Sequence, residues 1–141
     1  MADLSEYVTD AVHEQTQTDS PGFDLTVAEV YEVVDPGRID FGGGELEPAG
    51  TAPHASAKRD PEDDYDWWTL RAGQYLVEFN ESLTGEATVT VQPRTELLER
   101  GATHPTLHVD ELPRIPLSVG GAGLRLKANA RVSTIVDAEK R

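Results

Sequence analysis

Apolar and polar residues alternate from Ala87 to Gln92. Ala87, Val89 and Val91 point one way and Thr88, Thr90 and Gln92 the other, the period-two pattern of a strand with one buried face. The pattern recurs over residues 74–79, where Tyr75, Val77 and Phe79 share a side, and over residues 23–34. In the latter the phase slips: Phe23, Leu25 and Val27 are followed by Val30 and Tyr31 before Val33, which predicts a one-residue bulge near Ala28-Glu29. Shorter apolar runs at 67–70, 106–109, 115–119, 124–127 and 130–135 are punctuated by Gly, Pro or Asn. Many short strands with frequent turns predict an all-β barrel or sandwich.

Helical periodicity is confined to two places. Leu4, Tyr7, Val8, Ala11 and Val12 fall on one face, and Asp3 with Glu6 has capping-box spacing, so a short N-terminal helix is expected over 4–13, with a polar linker to residue 20. A single helical turn is expected at 95–100. Asp35-Pro36-Gly37 reads as a turn. The stretches 38–41 and 45–47 read as a hairpin about Gly42-Gly43-Gly44, a glycine run that lacks the Lys-Ser/Thr and following helix of a phosphate cradle. Residues 48–66, rich in Pro, Ala, Ser and Asp, predict a surface loop, and 136–141 a short charged tail.

Length and charge narrow the picture. A chain of 141 residues suits one domain. Without cysteine it has no disulfide or thiolate chemistry. No apolar run approaches the length of a membrane span and no secretory leader is evident, which predicts a cytoplasmic protein without a membrane partner. Acidic residues number 26 against 12 basic ones, for a net charge of −14, which argues against a nucleic-acid partner. Only three of the bases are lysines, a balance expected of a salt-adapted protein whose self-repulsion is screened. An anionic ligand would then depend on a few arginines, and Arg94, Arg114 and Arg131 become the informative ones.

The stretch 91–102 breaks the strand pattern: Pro93 stops it, Arg94 and Thr95 stand together, and Leu97-Leu98 runs on to Gly101. An arginine fork beside a hydroxyl can hold phosphate oxygens. The plain alternative is a strand end, one helical turn and a surface ion pair. His104, His108 and Asp110 are of the right type for zinc, but Pro105 interrupts their geometry and no metal site is assigned. Trp67 and Trp68 are adjacent, so on a strand they face opposite ways. One is expected in the core and the other at a subunit contact, rather than both stacking a base.

In their order these pieces resemble the dUTPase and dCTP deaminase superfamily. Pro21-Gly22-Phe23-Asp24-Leu25 is similar to its first motif, Leu70-Arg71-Ala72-Gly73 to the turn before a central strand, and 93–101 to the phosphate-binding motif. Residues 109–119 and 128–135 are similar to its third and fourth motifs. The resemblance implies a jelly-roll-like (β-clip) barrel and a homotrimer with sites at subunit boundaries. It also implies a nucleotide triphosphate as ligand, with Mg²⁺ carried on it. Arg94, Thr95 and Glu96 would occupy the phosphate-binding positions, Asp110 that of the carboxylate that orders the attacking water, and Arg131 that of a structural arginine.

The departures from the family pattern are specific. Glu96 replaces a hydroxyl, Pro113 and Ile115 replace an aromatic residue and a glycine, Thr134 replaces a glutamine, and the glycine-rich C-terminal arm is missing. Gly120 stands where the deaminases carry their catalytic glutamate. The leading expectation is therefore dUTP hydrolysis to dUMP and pyrophosphate. The alternative is a non-catalytic trimeric nucleotide-binding or structural member, and dCTP deamination is the least expected.

Overall fold

The computed structural model describes residues 3–141. After a 3₁₀ turn at Leu4–Tyr7 come β1 (Val8–Thr9), α1 (Glu14–Gln17), β2 (Phe23–Asp35), β3 (Gly50–Pro53), β4 (Trp67–Leu70), β5 (Gly73–Phe79), β6 (Ser82–Leu83) and β7 (Ala87–Pro93). Then follow α2 (Thr95–Glu99), β8 (Ala102–Thr103), β9 (Leu107–Val109), β10 (Ile115–Val119), β11 (Leu124–Lys127) and β12 (Arg131–Lys140). The fold is all-β. One curled antiparallel sheet runs β8-β10-β5-β2-β12-β7-β9, with β3 beside β2, and the pairs β4–β11 and β1–β6 complete it. Among the described residues no helix is long and apolar enough to cross a membrane.

Strand β2 organises the sheet. Its first part pairs with β12, from Ile135↔Phe23 to Arg131↔Thr26, and its second part with β5, from Val27↔Phe79 to Tyr31↔Leu76. The register with β5 shifts between Val27 and Glu29, where the hydrophobic phase slips, so the bulge falls where the sequence placed it. The inward face of each long strand meets in one core, with Phe23, Leu25, Val77, Val89, Val91, Leu117 and Ile135 buried. Trp68 is in this core. Trp67 lies on the other side with Arg59 and Lys127 against its ring, at 5.1 and 5.5 Å.

Three expectations are corrected. The N-terminal helix does not run from 4 to 13. Asp3 accepts from Ser5 N–H (3.0 Å) and caps only a 3₁₀ turn, then Val8 and Thr9, both β-branched, pair with Leu83 and Ser82. Asp10, at φ 64°, reverses the chain before α1. Within 48–66, residues 50–53 are strand rather than loop, because β2 continues far enough to offer them an edge. Residues 136–140 are not a free tail: they continue β12 and pair with β7 as far as Lys140↔Ala87.

Gly22 precedes β2 where no side chain fits, since a Cβ there would lie 2.3 Å from Thr134 Cγ2 and 2.5 Å from the Ile135 carbonyl oxygen. The chain thus enters β2 pressed against β12, and that contact brings the first and fourth motifs together.

Candidate active site

Asp24 is the hinge of the site. On β2 it alternates with Phe23 and Leu25 and should face solvent, yet it is fully buried, because residues 13–19 lie over that face. Gln17, itself buried, donates from Nε2 to the Asp24 carbonyl oxygen (2.8 Å) and to Glu81 Oε2 (2.8 Å). The Asp24 carboxylate accepts from Thr134 Oγ1 (2.8 Å) and from Arg131 Nη1 (3.1 Å), and Arg94 Nε stands 3.6 Å away. A buried carboxylate needs this much compensation. Arg131 also reaches the Thr16 carbonyl oxygen (3.1 Å) and Asp19 (3.3 Å), so it ties the N-terminal segment to β2 and β12.

Arg94 follows β7 and serves as N-cap of α2, with no side chain capping that turn. Its guanidinium is mostly buried. It lies between Asp24, the Arg131 carbonyl oxygen (3.5 Å) and Glu96 Oε2 (3.5 Å). Beside it opens a surface cleft of about 330 Å³ lined by Pro21, Gly22, Arg94, Thr95, Glu96 and Thr134. The structure therefore gathers Arg94, Thr95 and Glu96, with Arg131 sharing the Asp24 carboxylate behind them. Glu96 extends into solvent and can swing away from Arg94.

Asp110 is elsewhere. It follows β9, whose Val109 pairs with Val89, five residues before Arg94, and five strand steps span about 16 Å. Its carboxylate, half-exposed, bonds Arg141 Nη1, and Arg141 also donates its backbone N–H to the Glu86 carbonyl oxygen (3.1 Å). One chain does not bring Asp110 to the Arg94 cleft. Arg114, the third arginine singled out, is engaged structurally: it pairs with Glu78 (3.2 Å) and stacks over Tyr31, 3.7 Å from the ring centre.

His104 is no metal ligand in this arrangement. Nδ1 stands 2.8 Å from the Pro105 carbonyl oxygen, which can only accept, so Nδ1 carries the proton and Nε2 accepts from Ser133 O–H at 2.7 Å. Burial pushes its pKa below the ordinary histidine value, and the bond to Pro105 offsets only part of that. The unfolded chain binds this proton at about pH 6.5 and the folded chain only at lower pH. Unfolding takes up a proton in that window, so stability declines as the pH falls below about 6.5 and levels off under the folded value. Urea melts between pH 7.5 and 5 should show this slope, and His104→Gln should remove its share of it.

Gly120 is closed to any side chain. Its N–H donates to the Gly101 carbonyl oxygen (2.9 Å), and a Cβ would lie 2.7 Å from that same oxygen. A glutamate acid/base at 120 does not fit without moving the backbone.

Sequence reasoning assigned no role to Asp24, although it stood inside a quoted motif, and it missed Glu81. Glu81 is buried and accepts from Thr26 N–H (2.8 Å), Thr26 O–H (2.6 Å) and Gln17. In the sequence it sits in a polar connection, Asn80-Glu81-Ser82, that carries no signal of burial.

No family model matches the chain. It is 32% identical over 133 residues to a probable deoxyuridine 5'-triphosphate nucleotidohydrolase of Methanosarcina acetivorans, a match covering 89% of this chain and 74% of that protein. The chain belongs to the dUTPase superfamily. A protein of the same description from Methanosarcina mazei is 29% identical over 133 residues, with the same coverage. Membership agrees with the all-β fold and with the cleft that Gly22, Arg94 and Thr134 line together, which joins three stretches resembling superfamily motifs.

Proposed function

We propose that this protein is a dUTPase-type nucleotide pyrophosphohydrolase, one domain over residues 1–141, that converts dUTP to dUMP and pyrophosphate. The observation that carries the reading is the cleft in which Arg94, held from behind by buried Asp24, stands beside Thr95. A guanidinium fixed in this way is pre-oriented to bond phosphate oxygens, and the Thr95 hydroxyl adds a donor. Asp110 orders a water and takes its proton. As the water oxygen bonds the α-phosphorus, the bridging bond breaks and pyrophosphate leaves with its electron pair.

Among the described residues no group of three or more His, Asp or Glu side chains could hold a metal ion alone. Mg²⁺ would be held by the triphosphate's own oxygens, because the one carboxylate lining the cleft, Glu96, is exposed and faces Arg94. Its chemistry there is neutralisation of phosphate charge. Because Asp110 lies far from Arg94 within one chain, the reading requires Asp110 from a second copy, and the homotrimer implied by the superfamily resemblance supplies it.

The test is pyrophosphate release from dUTP in molar KCl with Mg²⁺, with dCTP and the other deoxynucleotides as controls. Rapid, dUTP-specific release is expected. Silence on every nucleotide from folded protein overturns the proposal. Glu96→Ser removes a screened carboxylate beside the phosphates, a repulsion of about 1 kcal/mol. KM for dUTP should fall several-fold in this variant with kcat little changed, and steady-state kinetics at two salt concentrations would check it.

A further inference from the structure

The hairpin beyond β2 is built stiffly and covered by nothing. Arg38 and Glu47 exchange both backbone hydrogen bonds (2.9 and 3.0 Å) and pair their side chains (2.9 Å). Asp40 accepts from the N–H groups of Gly43 and Glu45, both at 3.1 Å. On this frame Phe41 is fully exposed, Ile39 is 91% exposed and Leu46 62% exposed. Three large apolar side chains on a small, pre-organised tip are unlike the scattered apolar residues of an ordinary surface. The tip is also acidic. Asp40 and Glu47 are engaged locally, and among the described residues Glu45 makes no ion pair.

The same chain carries a matching cleft. Between β4 and β11 lies an open hollow of about 630 Å³, lined by Leu70, Ala122, Gly123, Leu124, Arg100 and Arg125. Gly123, at φ +83°, presses on the Leu70 carbonyl oxygen, where a Cβ would lie 2.5 Å away, so one wall is bare backbone. Among the described residues neither Arg100 nor Arg125 makes an ion pair, although acids outnumber bases 26 to 12 in this chain. A shallow floor of exposed Ala122 and bare Gly123 backbone, laid over buried Leu70 and Leu124 and rimmed by two arginines without ion pairs, complements an apolar tip that carries a free acid.

We propose that the hairpin of one copy seats Phe41 in the β4–β11 cleft of a second copy, with Glu45 against Arg125. Knob and hollow are different patches, so the contact is head-to-tail. Each copy gives one and receives one, and the contacts close into a ring when the rotation permits. The inference stands on these two surfaces and not on nucleotide chemistry.

Native cysteine is absent, so engineered thiols report only this contact. Phe41→Cys and Ala122→Cys are made separately, both at exposed positions, and mixed one to one under mild oxidation in molar KCl. The mixture is expected to give a reductant-sensitive dimer that neither variant gives alone. No dimer from the folded mixture overturns the proposal, as does an equally strong dimer from Phe41→Cys alone, which would mean tip-to-tip pairing. In parallel, Phe41→Ser should weaken self-association by about thirtyfold, the least expected of an aromatic anchor. Sedimentation would read this, and Glu45→Arg with Arg125→Glu should associate better than either single variant. A trimer whose mass Phe41→Ser leaves unchanged sinks this docking while leaving the trimeric reading standing. Absent dUTP turnover sinks the catalytic reading and leaves the docking untouched.

Discussion

Asp110→Asn is expected to lower kcat for dUTP by about 10²- to 10⁴-fold, the contribution of a positioned general base. The fold should survive. Asp110 is half-exposed at the end of a three-residue strand, and the contact the structure gives its carboxylate is with Arg141. An amide keeps the size and a hydrogen-bond acceptor but cannot take the proton of the attacking water. The loss should therefore appear in kcat, with KM and the melting temperature near their original values. A variant that hydrolyses dUTP at the parent rate would remove Asp110 from the mechanism. A variant that merely unfolds would contradict the exposure seen here.

Asp24→Ala carries the other large effect, on stability. It strands Arg94 and Arg131 against a site from which their shared carboxylate has gone, and it leaves the Thr134 hydroxyl without its acceptor. Removing one partner of a buried ion pair costs about 3–5 kcal/mol, which for a chain of this size lowers Tm by roughly 10 °C or more. Thermal melts of Asp24→Ala, Arg131→Met and the double variant check it. The double variant should be less destabilised than the sum of the singles, because the second change removes a cation that the first left with only the exposed Asp19 carboxylate. Additive losses would show that the Asp24–Arg131 pair is not coupled. Asp24→Asn, which keeps the shape and one acceptor oxygen, should fall between the parent and the alanine variant.

How far the sequence could be read follows from which faces were buried. Strands β5 and β7 bury one face each, so alternation alone located them, and the bulge at Ala28 appeared as a slip in that alternation. The helical turn at α2 was legible because Pro93 and Gly101 bound it, Gly101 at φ +80°. The start of β2 was not fully legible, because five successive residues from Phe23 are buried. Nothing local reports that α1 covers the polar side, so neither Asp24 nor Glu81 could be recognised as buried. The closure of Arg141 on Asp110 joins residues 31 positions apart and leaves no periodic trace. Arg94 and Thr95 could be singled out because a guanidinium beside a hydroxyl suits phosphate oxygens, and both line one cleft. Its distance from Asp110 is a matter of sheet register, which a linear pattern does not contain.

The Gly101–Gly120 contact also bears on what this lineage can become. A glutamate at 120 is a small step in sequence, but the Gly101 carbonyl already occupies the space its first carbon would need. The loop after α2 would have to shift before such a change could be tolerated, and that shift alone brings no new chemistry. A glutamate acid/base at 120 thus faces an ordering constraint: the backbone change at Gly101 must precede it.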